Sequence, residues 1–115
     1  MSHKRLMECA FLIPIRGDAQ ISDGLPHGRK AWFWLDDQLL TFGGATRALE
    51  LYRGWYLDPD TGKVVKDLSR RYLAALDGRG LRRLRRLLRD ACLVFAQKCI
   101  YLSVAGKVEF VKRPR

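Results

Sequence analysis

His27 is the chain's only internal histidine, and it closes a glycine-rich stretch, RGDAQISDGLPHGRK, residues 16–30. Asp18 and Asp23 lie upstream in the same stretch. An imidazole beside a carboxylate can act as a general base, with the acid fixing its tautomer. Those three residues therefore define one expectation, a small nuclease-like enzyme using His27 with Asp18 or Asp23. Gly28, Arg29 and Lys30 follow directly and could meet an anion at a helix start. A structural role is the alternative: His27 caps the helix or satisfies a buried carbonyl. The chain carries no phosphate-loop consensus, no G-x-S-x-G and no H-E-x-x-H.

A second chemistry lies in LRRLRRLLRDA, residues 81–91. With Leu81 at zero, Arg85, Arg89, Arg82 and Arg86 fall at about 40, 80, 100 and 140° around a helix. No acidic residue lies between positions 78 and 89, so the helix offers these cations no partner one turn away. Guanidinium forks bind phosphate bidentately. Arg79, Arg83, Arg70 and Arg71 would extend the patch. Residues 66–89 hold nine Lys/Arg against Asp67 and Asp77, so +7 of the net +10 falls there. A field of that sign attracts nucleic acid or acidic proteins. The leading expectation is a non-catalytic binding protein that contacts DNA or RNA, or another polyanion, through this stripe. The other reading of the stripe is a solvated helix face.

Aromatic residues raise a third possibility. Phe33 and Trp34 fall off the apolar stripe of the first helix, and Leu93 falls on the arginine side of the second. Such residues anchor protein–protein contacts, so an adaptor, inhibitor or assembly subunit docking through the first helix is the alternative. Tyr52, Tyr56 and Tyr72 alternate with Arg47, Arg53, Arg70 and Arg71. That mixture suits base stacking on a sheet or plain cross-strand pairing.

The elements that must position these groups follow from periodicity. CAFLIPI, residues 9–15, reads as a covered strand. Trp32, Leu35, Leu39 and Phe42 give residues 31–42 one helical stripe, closed by Gly43-Gly44. Residues 45–57 and 63–76 form strands around DPDTG, residues 58–62, a turn with Pro and Gly where turns want them. Asp77-Gly78-Arg79-Gly80 breaks the chain before a second helix over 81–97. A strand, an Ala105-Gly106 turn and a short return strand end it. The order β-α-β-β-α-β predicts a ferredoxin-like α+β domain, a split βαβ with two helices on one face of an antiparallel sheet and a possible extra C-terminal hairpin strand. The opposite face then meets solvent or a second subunit, so a homodimer or assembly subunit is expected. The domain is bounded at 9–112, between basic tails at 1–8 and 113–115.

Several motifs recur in a familiar order: F-L-I-P-I, His27 in its glycine loop, Trp32 to Leu35 as W-x-x-L, Phe42 to Thr46 as F-G-G-x-T, and Gly54 to Trp55. The chain thereby resembles a group of small uncharacterised bacterial proteins. The resemblance spans roughly residues 9–111 and implies a bacterial ferredoxin-like domain, with no established activity to carry over.

Composition excludes several classes. The 48% hydrophobic content supports a core rather than disorder. No apolar run approaches the ~18–20 residues of a membrane span, and the short apolar stretch near the N-terminus, interrupted by Pro14, makes a poor secretory signal. Cys9, Cys92 and Cys99 are an odd, unclustered set that suggests a reducing cytoplasm and buried apolar roles. Two histidines and no C-x-x-C leave no basis for a metal site or cofactor.

Overall fold

The computed structural model describes residues 5–115, so the first half of the expected basic N-terminal tail, residues 1–4 of 1–8, lies outside the described residues. The elements are β1 (Met7–Pro14), α1 (Arg29–Leu40), β2 (Thr46–Arg47), β3 (Tyr52–Leu57), β4 (Val64–Leu76), α2 (Gly78–Val94), β5 (Cys99–Val104) and β6 (Lys107–Lys112). They build one antiparallel six-stranded sheet, ordered β2-β4-β1-β5-β6, with β3 also on β4. Two helices cover one side. This is the expected split βαβ plus a terminal hairpin strand.

Alternation decides which residues enter the core. Cys9, Phe11 and Ile13 of β1 face the helices, as do Tyr72 and Leu76 of β4 and Ile100, Leu102 and Val104 of β5. Leu35 and Leu39 of α1 meet them, as do Leu81, Leu84, Leu87, Leu88, Ala91 and Cys92 of α2. Phe11 stacks on its cross-strand partner Tyr72, with centroids 5.0 Å apart. Tyr72 is therefore a core residue and no part of a stacking surface. Cys9 and Cys92 are buried as expected, and burial pushes the Cys92 thiol up to about 11. Cys99 is exposed.

Boundaries moved for local reasons. The strand expected from Cys9 begins at Met7, because Met7 and Glu8 pair with Leu76 and Ala75. α1 starts two residues early at Arg29, behind an extended Gly28 with no side-chain cap. α2 starts at Gly78, because the Asp77 carboxylate accepts the Gly80 N–H at 2.8 Å. The strand expected over 45–57 is two pieces on the same edge of β4: β2 against Leu73 and Tyr72, β3 against residues 64–69. The β5–β6 turn is as expected, with positive φ at both Ala105 and Gly106.

α2 also stops early. The Gln97 N–H bonds the Cys92 carbonyl at 2.8 Å and the Ala96 N–H bonds Leu93 at 3.4 Å, a Schellman closure. That closure puts Ala96 at φ 49°, where a side chain is opposed. Ala96→Gly should therefore stabilise the fold by about 1 kcal/mol, read as a rise in urea midpoint at unchanged slope.

Candidate active-site cleft

β1 ends at Pro14, opposite Ser69, but its neighbour β4 starts five residues earlier at Val64. Residues 64–68 and β3 therefore run past the sheet as a two-stranded arm. The loop after β1 folds into the resulting gap. The Ile15 N–H bonds Leu68, the Asp18 N–H bonds Ala96, and the His27 N–H bonds Ile15. The buried Gln97 side chain donates to the Arg16 carbonyl at 2.7 Å and to the Phe95 carbonyl at 2.8 Å. The strained end of α2 thus fixes the loop's position.

Between loop and arm lies a cleft of about 990 Å³. Asp18 and Gln20 line it from the loop, and Trp55, Tyr56, Asp58 and Asp67 from the arm. Arg16, Arg53, Lys63 and Lys66 add cations around it. One end is tied shut: the Gln20 amide donates to Asp58 at 2.7 Å, and the Lys98 ammonium donates to Gln20. The DPDTG turn that carries Asp58 closes as expected, with Gly62 at φ 69° and its N–H on the Asp58 carbonyl.

Two side chains in this cleft are perturbed. Burial pushes the Asp67 carboxyl above the ordinary carboxylate range, against the pull of the Gly54 backbone N–H. Burial also raises the Tyr56 phenol, and the charges of Asp67, Asp18 and Asp58 raise it further. Tyr56 is therefore a neutral hydroxyl at physiological pH. Gly54 is directly opposite Asp67, and a Cβ there would sit 2.7 Å from the Asp67 Oδ1. Only glycine lets the carboxylate lie so close to the neighbouring strand. Displaced, clefted titratable groups of this kind mark functional sites.

The His27 constellation does not assemble. The His27 Nε2 bonds the Pro14 carbonyl at 2.9 Å, and the ring packs edge-on against Phe95 and Trp32 at 4.9 and 5.6 Å. Burial lowers its pKa. The Asp18 and Asp23 carboxylates accept the Gln20 and Leu25 N–H groups of their own turns. Of the three, only Asp18 lines the cleft. His27 satisfies the part-buried Pro14 carbonyl, close to the structural alternative, and the nuclease-like expectation loses its base. Among the described residues no group of three His, Cys, Asp or Glu is placed to hold a metal.

The arginine stripe is divided as well. Arg85 forks onto Glu109 of β6 at 2.8 and 3.0 Å, a partner the helical spacing hides. Arg83 lies over the Phe42 ring and reaches Thr41. Arg70 stacks on Trp32 at 3.8 Å, and Arg71 lies over Tyr52. Arg79 lines a smaller hollow with Arg83. Arg82, Arg86 and Arg89 stay exposed. A double-mutant cycle on Arg85→Ala and Glu109→Ala should return about 0.2–1 kcal/mol, because both side chains remain well solvated. Trp34 is half-buried against Phe95, whereas Phe33 and Leu93 project into solvent.

No family model matches the chain, and no curated protein matches it. Two solved structures share its fold along nearly the whole length. A phage SAM lyase in complex with S-methyl-5′-thioadenosine superposes with a TM-score of 0.71 at 12% identity, covering 97% of this chain and 93% of that one. A phage SAM lyase in the apo state gives 0.64 at 12% identity, with 100% and 97% covered. The fold is thus one that an enzyme uses. That finding overturns the expectation of a non-catalytic binding protein, whether it docks a polyanion or a partner protein. The internal pairing of Arg70, Arg71, Arg83 and Arg85 removes half of the patch on which it stood.

Proposed function

We propose that the protein is a small lyase-type enzyme that fragments a sulfonium nucleoside, with S-adenosylmethionine as the first substrate to test. One observation carries this reading: a cleft of about 990 Å³ that combines aromatic faces with a raised, partly buried carboxylate. The fold likeness to the phage SAM lyase supports it. Such a ligand has an adenine ring, a sulfonium, an ammonium and a carboxylate. The exposed face of Trp55 suits the flat base, and Arg53, Lys63 and Arg16 suit the carboxylate. Asp67, with Asp58 nearby, suits the ammonium.

Formation of S-methyl-5′-thioadenosine from S-adenosylmethionine leaves methyl and adenosyl groups on sulfur. The broken bond is the one to the amino-acid chain, and its electron pair stays with sulfur. The departing carbon takes its new pair from within the substrate, through its own carboxylate oxygen or a neighbouring C–H bond whose proton a carboxylate of the cleft takes up. Neither route needs water or a cofactor. Positive charge disappears from sulfur as the bond breaks, so water displaced from the sulfonium by the bound state favours the transition state over the charged ground state. Carboxylates then serve best at the ammonium, which keeps its charge throughout. Three free thiols suit a cytoplasmic setting for this chemistry, and no helix among the described residues is long and apolar enough to cross a membrane.

Chromatography of S-adenosylmethionine incubated with the purified protein tests the reading. S-methyl-5′-thioadenosine should accumulate with wild type and decline with Tyr56→Ala and Asp67→Asn. No product, together with no saturable calorimetric binding of either nucleoside, would remove it.

A further inference from the structure

The arm that walls the cleft is a cantilever. Among the described residues β3 pairs with β4 alone, and residues 64–68 of β4 have no strand on their other side, because β1 ends opposite Ser69. At about 3.3 Å per residue, the tip lies roughly 17 Å beyond the root. One backbone bond meets the root, from the Ile15 N–H to the Leu68 carbonyl at 2.9 Å. The opposite wall is held more firmly. Three consecutive residues after α2 grip alternate residues of the loop. The Ala96 carbonyl takes the Asp18 N–H, the Gln97 amide donates to the Arg16 carbonyl, and Lys98 donates to the Gln20 side chain. That connector is itself anchored, since the Lys98 carbonyl accepts the Arg113 N–H at 2.9 Å. One side-chain cluster joins the anchored loop to the tip of the arm. The Gln20 amide donates to Asp58 at 2.7 Å, and the Lys98 ammonium lies 3.7 Å from the Asp60 carboxylate.

We propose that Lys98, Gln20, Asp58 and Asp60 form a latch, and that its release lets the arm swing about its root and open the cleft to a ligand. The contacts differ in strength as a latch requires. The inner grips are backbone bonds or the buried Gln97 side chain. The outer ones are wet. The Lys98 and Asp60 side chains are 42% and 73% exposed, and an exposed pair at that separation contributes little. Asp58 is buried while Gln20 holds it, but its other carboxylate oxygen accepts the Asp60 N–H of its own turn at 2.8 Å. Release therefore exchanges the Gln20 bond for water and leaves the turn intact. Closed and open arrangements then lie close in free energy, which is what a gate needs. A small rotation at the root moves the tip by several ångström. The arm carries Trp55, Tyr56 and Asp67, and the loop carries Arg16 and Asp18, so the latch sets the gap between the two walls. The gating of a substrate rests on reading the cleft as the active site, whereas the swing itself does not.

Pulsed electron spin resonance reads the swing. Nitroxides are placed at Leu57→Cys on the arm and Arg89→Cys on α2, both exposed positions, in a Cys99→Ser background where the remaining thiols, Cys9 and Cys92, are buried. The otherwise unaltered protein should give one dominant separation. Gln20→Ala and Lys98→Ala should each add a population several ångström longer. Lys98→Arg, which keeps the cation, should restore the short one, and Lys112→Ala, which removes a cation outside the cluster, should change nothing. Saturating S-adenosylmethionine should draw the Gln20→Ala population back to the short separation. Identical distributions with and without the two alanine substitutions, each variant folded by circular dichroism, overturn the latch. A swing that appears in those variants but ignores S-adenosylmethionine upholds the latch and removes that ligand from the cleft.

Discussion

Asp67→Asn is expected to make the protein more stable at neutral pH and, if the cleft is the active site, to raise KM for S-adenosylmethionine by about 10- to 100-fold. The two halves have one cause. Burial raises the Asp67 carboxyl above its ordinary value, so the folded state holds a proton more tightly than the unfolded chain. Between the unfolded and folded values the native state binds more protons, and stability falls as pH rises through that window. Above it, the fold carries the full cost of a partly desolvated charge, which Asn removes. Carboxamide and carboxylate are nearly the same shape, so packing against Gly54 survives. Substrate loses a charge-assisted contact to its ammonium, worth about 1.5–3 kcal/mol. That contact is equal in ground and transition states, so the loss belongs in KM while kcat changes little. Wild-type KM should itself climb as pH falls through the raised Asp67 value, and the Asn variant should lose that slope. Gly54→Ala, by pushing the carboxylate off its site, should move KM the same way by less. Melts and steady-state kinetics on the three proteins decide the matter. A variant less stable than wild type with unchanged KM would reassign Asp67 to the scaffold.

Periodicity was sufficient for the scaffold and insufficient for the cleft. The leucines at 81, 84 and 88 and the β1 run at Cys9, Phe11 and Ile13 announce buried faces because burial repeats with the local backbone period. The strand order then follows from short right-handed connections. A cleft has no period. It exists because β1 stops five residues short of β4, and a difference in strand ends is invisible until the pairing register is known. Asp67 did leave a trace: a lone carboxylate among basic residues inside a strand, where Asp is disfavoured, with a glycine opposite. His27 and the arginines misled for a related reason. Their residue types suit catalysis and phosphate, but their partners, the Pro14 carbonyl, Trp32, Phe42 and Glu109, come from distant segments. The split of residues 45–57 into β2 and β3 has the same origin, since the kink at residues 48–51 answers the edge of β4 and not a local turn signal.

His27→Ala is expected to cost about 2–3 kcal/mol of stability, with any loss of turnover following the loss of fold. The ring contributes an Nε2 bond to the Pro14 carbonyl and edge contacts to Phe95 and Trp32. Truncation orphans the carbonyl, which alone costs about 1–3 kcal/mol, and opens a hole beside two aromatic rings. The pH dependence separates this role from catalysis. Burial outweighs the Pro14 hydrogen bond and Asp23 in lowering the His27 pKa. In the window between its folded value and the ordinary 6.5, the unfolded chain binds more protons than the native one. Stability therefore rises with pH through that window and is lost as pH falls below 6.5. His27→Gln retains an N–H for the Pro14 carbonyl and cannot titrate, so it should keep part of the stability and flatten this slope. Urea midpoints measured from pH 5 to pH 8 should then diverge between wild type and the Gln variant only at the acid end. Parallel curves would mean that His27 titrates as in the unfolded chain, and the aromatic cage would no longer explain why the loop carrying Asp18 and Gln20 stays in place beside the cleft.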